Sequence, residues 1–243
     1  MNKYAIILAA GYGKRMKTNI PKSGIIFNGK PIINHIVSSC KLCNFDDIYV
    51  VVGFQKEYLM NIIQNDVKYV IQEKQEGTAK AVLCCEEVLK NKKGLVVILY
   101  GDTPLVDNEL IDNLINYHIN NNNDFTLTTS VLDNPKHYGR VYIKDGNVKK
   151  IIEYKDCNDE QKKIKKINCG LYCINLEILF SGLKFIKNNN VCKEYYFTDL
   201  VEILENEFKI GCYDIEDNYK LTGINDIDSL KRLEEEVKKR SNS

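Results

Sequence analysis

Tyr4-Ala5-Ile6-Ile7-Leu8-Ala9-Ala10-Gly11-Tyr12-Gly13-Lys14-Arg15-Met16 is the stretch whose reading decides the fold. Its first half is apolar without alternation and of strand length, which is the mark of a strand buried on both faces. It follows Lys3 and so imitates a secretory leader, but it is short and runs straight into a glycine turn followed by basic residues, so it reads as a first strand. Comparable runs, often rich in Val, Ile and Tyr, recur at 48–52, 67–71, 95–100 and 125–131. Helical patterns separate them: 32–40 after Pro31, then 56–64, 78–89 and 108–120. Buried strands alternating with helices predict an α/β sandwich, a sheet covered on both faces with right-handed crossovers.

After Pro135 the pattern changes. Residues 141–143 and 148–152 flank Lys144-Asp145-Gly146-Asn147, a hairpin signal, so a β-rich insertion is expected. A further strand is expected at 167–174, helices near 176–186 and 199–206, a short strand at 211–215, and a charged amphipathic helix over 226–240. Within 243 residues, 44% hydrophobic and 28% charged, one large domain with a sizeable core is the natural reading. The domain is placed at 1–225, and 226–243 forms the C-terminal helix and tail.

Lys plus Arg, 34, nearly cancel Asp plus Glu, 33, so the chain lacks the field that non-specific nucleic-acid binding or an anionic membrane surface needs. Nowhere do about 18 uninterrupted apolar residues occur, and no transmembrane helix is expected. Nine cysteines, an odd number in a chain far longer than a disulfide scaffold, read as reduced thiols and a cytoplasmic setting. Cys40-x-x-Cys43 has no second pair at zinc-like distance and falls on an apolar helix face, so it reads as core.

The chemistry is expected at two places. Glycines 11 and 13 let backbone amides approach an anion, and Arg15 and Lys22 add charges suited to phosphates. As a dinucleotide fingerprint the turn fails: position 16 is Met, and the next strand ends at Gly53-Phe54-Gln55 with no carboxylate for a ribose. Leu99-Tyr100-Gly101-Asp102-Thr103 places an aspartate at the carboxyl end of a buried strand, the edge at which open α/β sheets bind ligands. A carboxylate opposite a phosphate cradle suits Mg²⁺, which takes one or two carboxylates and leaves other positions to water and phosphate.

These segments, with Gln72-Glu73-Lys74-Gln75-Glu76-Gly77-Thr78, Tyr138-Gly139-Arg140, Glu153-Tyr154-Lys155-Asp156, Ile167-Asn168-Cys169-Gly170, Glu194-Tyr195-Tyr196-Phe197-Thr198-Asp199 and Gly223-Ile224-Asn225, stand in a recognisable order. Together they resemble the sugar nucleotidyltransferase (pyrophosphorylase) superfamily, and within it the uridyltransferase domain of bacterial N-acetylglucosamine-1-phosphate uridyltransferases, from Lys3 to about Leu230. The resemblance implies a Rossmann-like three-layer αβα nucleotidyltransferase fold with a mixed, mostly parallel sheet and a β-rich sugar-binding insertion. It implies Mg²⁺-dependent transfer of a uridylyl group from UTP to N-acetylglucosamine-1-phosphate, with pyrophosphate released and no covalent intermediate. The implied small-molecule partners are UTP and the sugar-1-phosphate, with no nucleic acid and no membrane.

By the same resemblance, Arg15, Lys22 and Asp102 are catalytic, and Asp102 and Asn225 hold the metal. Leu8, Ala9, Ala10, Gly11, Gly13, Gln72, Gly77 and Thr78 surround the nucleotide, while Tyr100, Gly139, Glu153, Asn168 and Tyr196 meet the sugar. His137 reads as a loop residue. Two positions depart from the family pattern: Lys14 stands where a small hydroxyl residue is common, and Ser23-Gly24-Ile25 follows Lys22 in place of a more usual Val-Leu-His. The family's left-handed β-helix, which carries acetyltransferase activity and drives trimer formation, has no counterpart in these 243 residues, so acetyl-CoA chemistry is not expected and the oligomeric state is left open. Two other functions fit the same residues: a nucleotidyltransferase for another sugar-1-phosphate or nucleotide, and a nucleotide-sugar binding module without turnover.

Overall fold

The computed structural model describes residues 1–16, 18–64 and 67–241, without the side chain of Lys14. In chain order the elements are β1 (Lys3–Leu8), β2 (Ile26–Phe27), β3 (Lys30–Pro31), α1 (Ile32–Leu42), β4 (Asp47–Val52), α2 (Lys56–Ile63), β5 (Lys68–Ile71), α3 (Thr78–Leu83), α4 (Glu86–Leu89) and β6 (Leu95–Tyr100). They continue as α5 (Asn108–Asn120), β7 (Phe125–Val131), β8 (Arg140–Lys144), β9 (Asn147–Ile152), α6 (Asp159–Lys162), β10 (Lys166–Asn175), α7 (Leu176–Leu183), α8 (Leu200–Leu204), β11 (Ile210–Asp214) and α9 (Ile227–Ser241).

The main sheet runs β11-β7-β10-β6-β1-β4-β5, and β10 is the strand that opposes its neighbours. The expected mixed, mostly parallel sheet is therefore what forms. Strand alternation sorts the core into two layers. Tyr4, Ile6, Tyr49, Val51, Val96 and Ile98 face α3, α7 and α8, while Ala5, Ile7, Val50, Val52, Val97 and Leu99 face α1, α2 and α5. Leu233 of α9 joins the second layer.

Chain order fixes where a site can lie. From β1 the chain crosses to β4 and β5 on one side, then returns to the other side of β1 as β6. The strand order reverses between β1 and β6, and in an open α/β sheet the crevice at such a reversal receives the ligand. Leu8 and Tyr100, the last residues of these strands, lie in register, and the Gly101 amide donates to the Leu8 carbonyl at 2.8 Å.

Several boundaries differ from the sequence reading. The helix expected over 78–89 breaks at Cys84-Cys85 into α3 and α4, and the one expected over 199–206 is a 3-10 turn (Phe197–Asp199) followed by the single turn of α8. The Asp145-Gly146 hairpin forms as expected, with both residues in the left-handed region at φ 52° and 77°. The same chemistry at Asn28-Gly29, φ 46° and 77°, makes the small β2–β3 hairpin that the reading did not include. All nine cysteines are free thiols, and burial pushes Cys43 up to about 12, so the Cys40/Cys43 pair is core.

Candidate active site

The turn after β1 is held by its neighbours. Ala9 donates to the Val51 carbonyl at 2.9 Å, and the Ala10 carbonyl accepts from Phe54 at 3.3 Å. Gly13 has φ 59°, and a Cβ there would lie 2.8 Å from the Cβ of Lys22, so the glycine lets the Lys22 segment pass close. Gly11 differs: a Cβ built on it would meet nothing within 4 Å. The protein's own packing does not demand a glycine there.

The segment bearing Lys22 explains one of the departures in the sequence. Ser23 sits beneath Gly101, where an added Cβ would approach its Oγ to 2.8 Å, and Gly24 lies against Tyr58, whose ring would be 2.6 Å from an added Cβ. Ser23-Gly24 thus gives the turn under the site the small side chains that its neighbours Gly101 and Tyr58 require.

Four of the expected residues converge. The Lys22 ammonium forms an ion pair with Asp102 Oδ2 and also donates to Asn225 Oδ1 at 3.3 Å. Arg15 donates to the same Asn225 oxygen at 3.0 Å. The Ile224 amide donates to the Asp102 carbonyl at 2.9 Å, which ties the last of these segments to the β6 tip. The side chains of Lys22 and Asp102 are 20% and 19% exposed, so the pair is neither free in solvent nor sealed. The glycine turn and the acidic strand tip therefore face one another across a single cluster, although they are 80 residues or more apart in sequence.

Beside this cluster, on the β4–β5 side, Gln72 is buried, and its side-chain amide donates to the Gly77 carbonyl at 3.3 Å. Gly77 has φ 121°, and a Cβ there would strike the Tyr195 backbone at 2.4 Å. The Thr78 hydroxyl accepts from the Phe197 amide at 2.8 Å. These contacts stitch the loop before α3 to the 195–197 segment and bring Gln72, Gly77 and Thr78 together.

The expected sugar-side residues form a second cluster. A register shift in β10 between Asn168 and Tyr172, with Gly170 at φ 82°, turns Asn168 so that its amide donates to the Tyr172 hydroxyl at 2.7 Å. Gly170 leaves room for the Tyr100 ring, which would lie 3.1 Å from a Cβ at that position. The Asn168 backbone N–H, for its part, donates to the Gly139 carbonyl at 2.9 Å, and a Cβ on Gly139 would lie 3.5 Å from both Glu153 carboxylate oxygens. Thr198 donates to Glu153 Oε1 at 2.9 Å. Burial raises the Glu153 carboxyl and pushes the Tyr100 hydroxyl up, the Glu153 charge adding to the latter. Burial likewise raises Tyr196, which also interacts with Cys192.

Arg140, next to Gly139, is fully buried. Its guanidinium donates to the carbonyls of Tyr138, Lys136 and Lys162, which fixes the loop before β8. His137 is exposed, with its ring against Tyr154. Thr198 and Tyr172 are not among the site residues expected from the sequence. Thr198 stands inside a motif that carried a neighbour, whereas a buried tyrosine in a strand gives no signal that separates it from core.

A family model for the MobA-like NTP transferase domain matches residues 5–147, which includes the glycine turn, Lys22 and Asp102. The chain belongs to this family. It is a nucleotidyltransferase. It is 40% identical over 235 residues to the Bifunctional protein GlmU of Acholeplasma laidlawii, covering 96% of this chain and 51% of that protein. It is 44% identical over 224 residues to the Bifunctional protein GlmU of Acetivibrio thermocellus, covering 91% of this chain and 49% of that one. The chain spans about half the length of these relatives. Among solved structures, a UDP-glucose pyrophosphorylase complexed with UDP-glucose superposes with a TM-score of 0.74 at 20% identity, covering 99% of this chain and all of that one. At that identity the likeness shows the NTP-transferase fold. No helix among the described residues is long and apolar enough to cross a membrane.

Proposed function

We propose that this NTP transferase makes a UDP-sugar, with UTP and N-acetylglucosamine-1-phosphate as its substrates. The observation that carries the reading is the convergence of Arg15, Lys22, Asp102 and Asn225 at the β1/β6 reversal, with Tyr100, two residues before Asp102, close to Gly170 of β10 and within the field of Glu153. Gly11, open above its Cα, leaves room for a phosphate to approach the backbone. Gln72, which can both donate and accept, matches a uracil edge, and Glu153, Asn168 and Tyr196 offer partners for sugar hydroxyl and amide groups.

In the reaction an oxygen of the sugar phosphate forms a bond to the α-phosphorus of UTP, and the bond from that phosphorus to the bridging oxygen breaks. The electron pair leaves with pyrophosphate. The attacking phosphate is already ionised at neutral pH, so no strong general base is required, and the protein has mainly to orient the two anions and neutralise their charge. Arg15 and Lys22 supply that neutralisation in a partly screened cleft, where fixed charges act more strongly than in water.

A divalent cation also fits. Asp102 and Asn225 present two hard oxygens that already converge on one cation, the Lys22 ammonium. Among the described residues no set of three or more His, Cys, Asp or Glu side chains is placed to cage a metal, so the remaining ligands would be substrate phosphate and water, as suits Mg²⁺. When bound, the ion would add charge neutralisation at the reacting phosphate. Lys22 stands between the same two oxygens, so Asp102 and Asn225 would be free to hold the ion once substrate phosphates drew the ammonium away.

The test is pyrophosphate release from UTP, CTP, dTTP and ATP, each paired with N-acetylglucosamine-1-phosphate and with glucose-1-phosphate. UTP with N-acetylglucosamine-1-phosphate should be fastest. A faster pair would reassign the substrate, and tight UTP binding with no release from any pair would make the chain a binding module.

A further inference from the structure

The segment that carries Asn225 has no regular structure of its own. It joins a 3-10 turn ending at Leu221 to the first residue of α9, Ile227. One side is fastened to the β6 tip by the bond from the Ile224 amide to the Asp102 carbonyl. The other is fastened by one hydroxyl.

Ser229 Oγ accepts from the amides of both Asn225 and Asp226, each at 2.9 Å, and donates to the Asp226 carbonyl at 2.7 Å. Asp226 Oδ1 returns a bond by accepting from the Ser229 amide at 2.7 Å. A serine hydroxyl has one donor and two acceptor positions, and all three are spent here. The exchange between Asp226 and Ser229 is a capping box, with serine in the place usually held by Glu or Gln. The bond to Asn225 reaches one residue further out than a cap requires, and Asn225 is the residue whose Oδ1 meets Arg15 and Lys22.

We propose that Ser229 is a positioning residue for the cation-binding end of the site, its hydroxyl fixing the backbone from which Asn225 presents Oδ1 beside Asp102. This rests on the reading of Asn225 as a metal ligand. A cap that served the helix alone would contribute to stability and leave ion affinity untouched. Groups that orient a metal ligand are worth roughly 10–100-fold in metal affinity when removed.

The two roles separate in a binding measurement without turnover. Mn²⁺ binding to the full chain is followed by electron paramagnetic resonance of the free ion, with UTP present and no sugar phosphate, alongside thermal unfolding. Ser229→Ala is expected to weaken Mn²⁺ binding by roughly tenfold. Ser229→Cys, of similar size but a poor acceptor, should do the same, and it provides the reading if the alanine variant does not fold. Ser229→Thr, which keeps the hydroxyl, should return affinity close to that of the unaltered chain. Asn225→Ala should weaken binding at least as much as Ser229→Ala. If Ser229→Ala and Ser229→Cys lower only the melting temperature while Asn225→Ala weakens Mn²⁺ binding, Ser229 is a cap and the inference is wrong. If Asn225→Ala itself binds Mn²⁺ as the unaltered chain does, the ligand reading fails, and the role of Ser229 falls with it.

Discussion

At the tips of β1 and β6, Asp102 and Asn225 converge on the ammonium of Lys22, whose side chain is about one-fifth exposed, and Arg15 joins them through Asn225. Across Tyr100, on β10 and just past β9, the polar groups are largely enclosed and paired: Asn168 with Tyr172, and Glu153 with Thr198. The first region is made by parallel strands, whose carboxyl ends all deliver loops to one edge. The second is made within an antiparallel strand, where a register shift and a glycine turn a side chain out of the regular pleat. On the proposed function, the phosphates would meet loops that keep access to water, and the uncharged sugar ring would meet groups held in a drier wall, where an unmet partner is costly. The two halves should therefore respond differently when altered.

The largest effect is expected at the charged edge. Asp102→Ala should abolish Mg²⁺-dependent turnover while the circular dichroism spectrum and melting temperature stay close to those of the unaltered chain; undiminished activity would reject the carboxylate's role. Lys22→Ala should lower kcat by roughly 10²–10³-fold, the usual loss for one preorganised stabiliser of transition-state charge. The same variant should bind Mn²⁺ more tightly in the absence of nucleotide, because the ammonium no longer competes for Asp102. A rise in KM alone would make Lys22 a uniform binder instead.

The drier wall should give smaller and more selective changes. Glu153→Gln is expected to raise KM for the sugar phosphate by roughly 10–100-fold, the worth of a hydrogen bond to a charged group, with KM for UTP unchanged. An equal rise in both constants would erase the division between the two halves.

The smallest effect concerns pH. Burial, followed by the charges of Glu153, Glu202 and Asp156, raises the Asp199 carboxyl from 3.8 to about 6. Between those values the folded chain binds the proton more tightly than the unfolded chain, so this contribution is whole below about pH 4 and is lost as pH rises towards 6. Asp199→Asn should flatten that loss and stabilise the protein at pH 7. For a carboxyl open to solvent on one side the gain is about 1 kcal/mol or less. Urea midpoints at pH 5 and pH 7.5 measure it, and a slope unchanged by the substitution would remove Asp199 as its source.

The amino-acid sequence by itself determined the buried parallel strands, the glycine turn, the strand-tip aspartate and the Asp145-Gly146 hairpin. Each of these is written in local chemistry: unbroken apolar runs, residues that tolerate positive φ, and a carboxylate at the end of an apolar run. Local chemistry also set the ends of α1 and α5, where Pro31 precedes the first and Asp107 caps the second by accepting from Leu110 at 2.9 Å. The break of the helix at Cys84-Cys85, the room that Gly24 leaves for Tyr58, the shift in β10 that turns Asn168, and the grip of Ser229 on the Asn225 segment were decided only in the tertiary structure. Gly24 meets a ring from elsewhere in the fold, and Ser229, in the first turn of its helix, spends a bond outside the local capping pattern. A hydrogen bond or a close approach depends on where both groups end up, and periodicity along a chain carries no record of that.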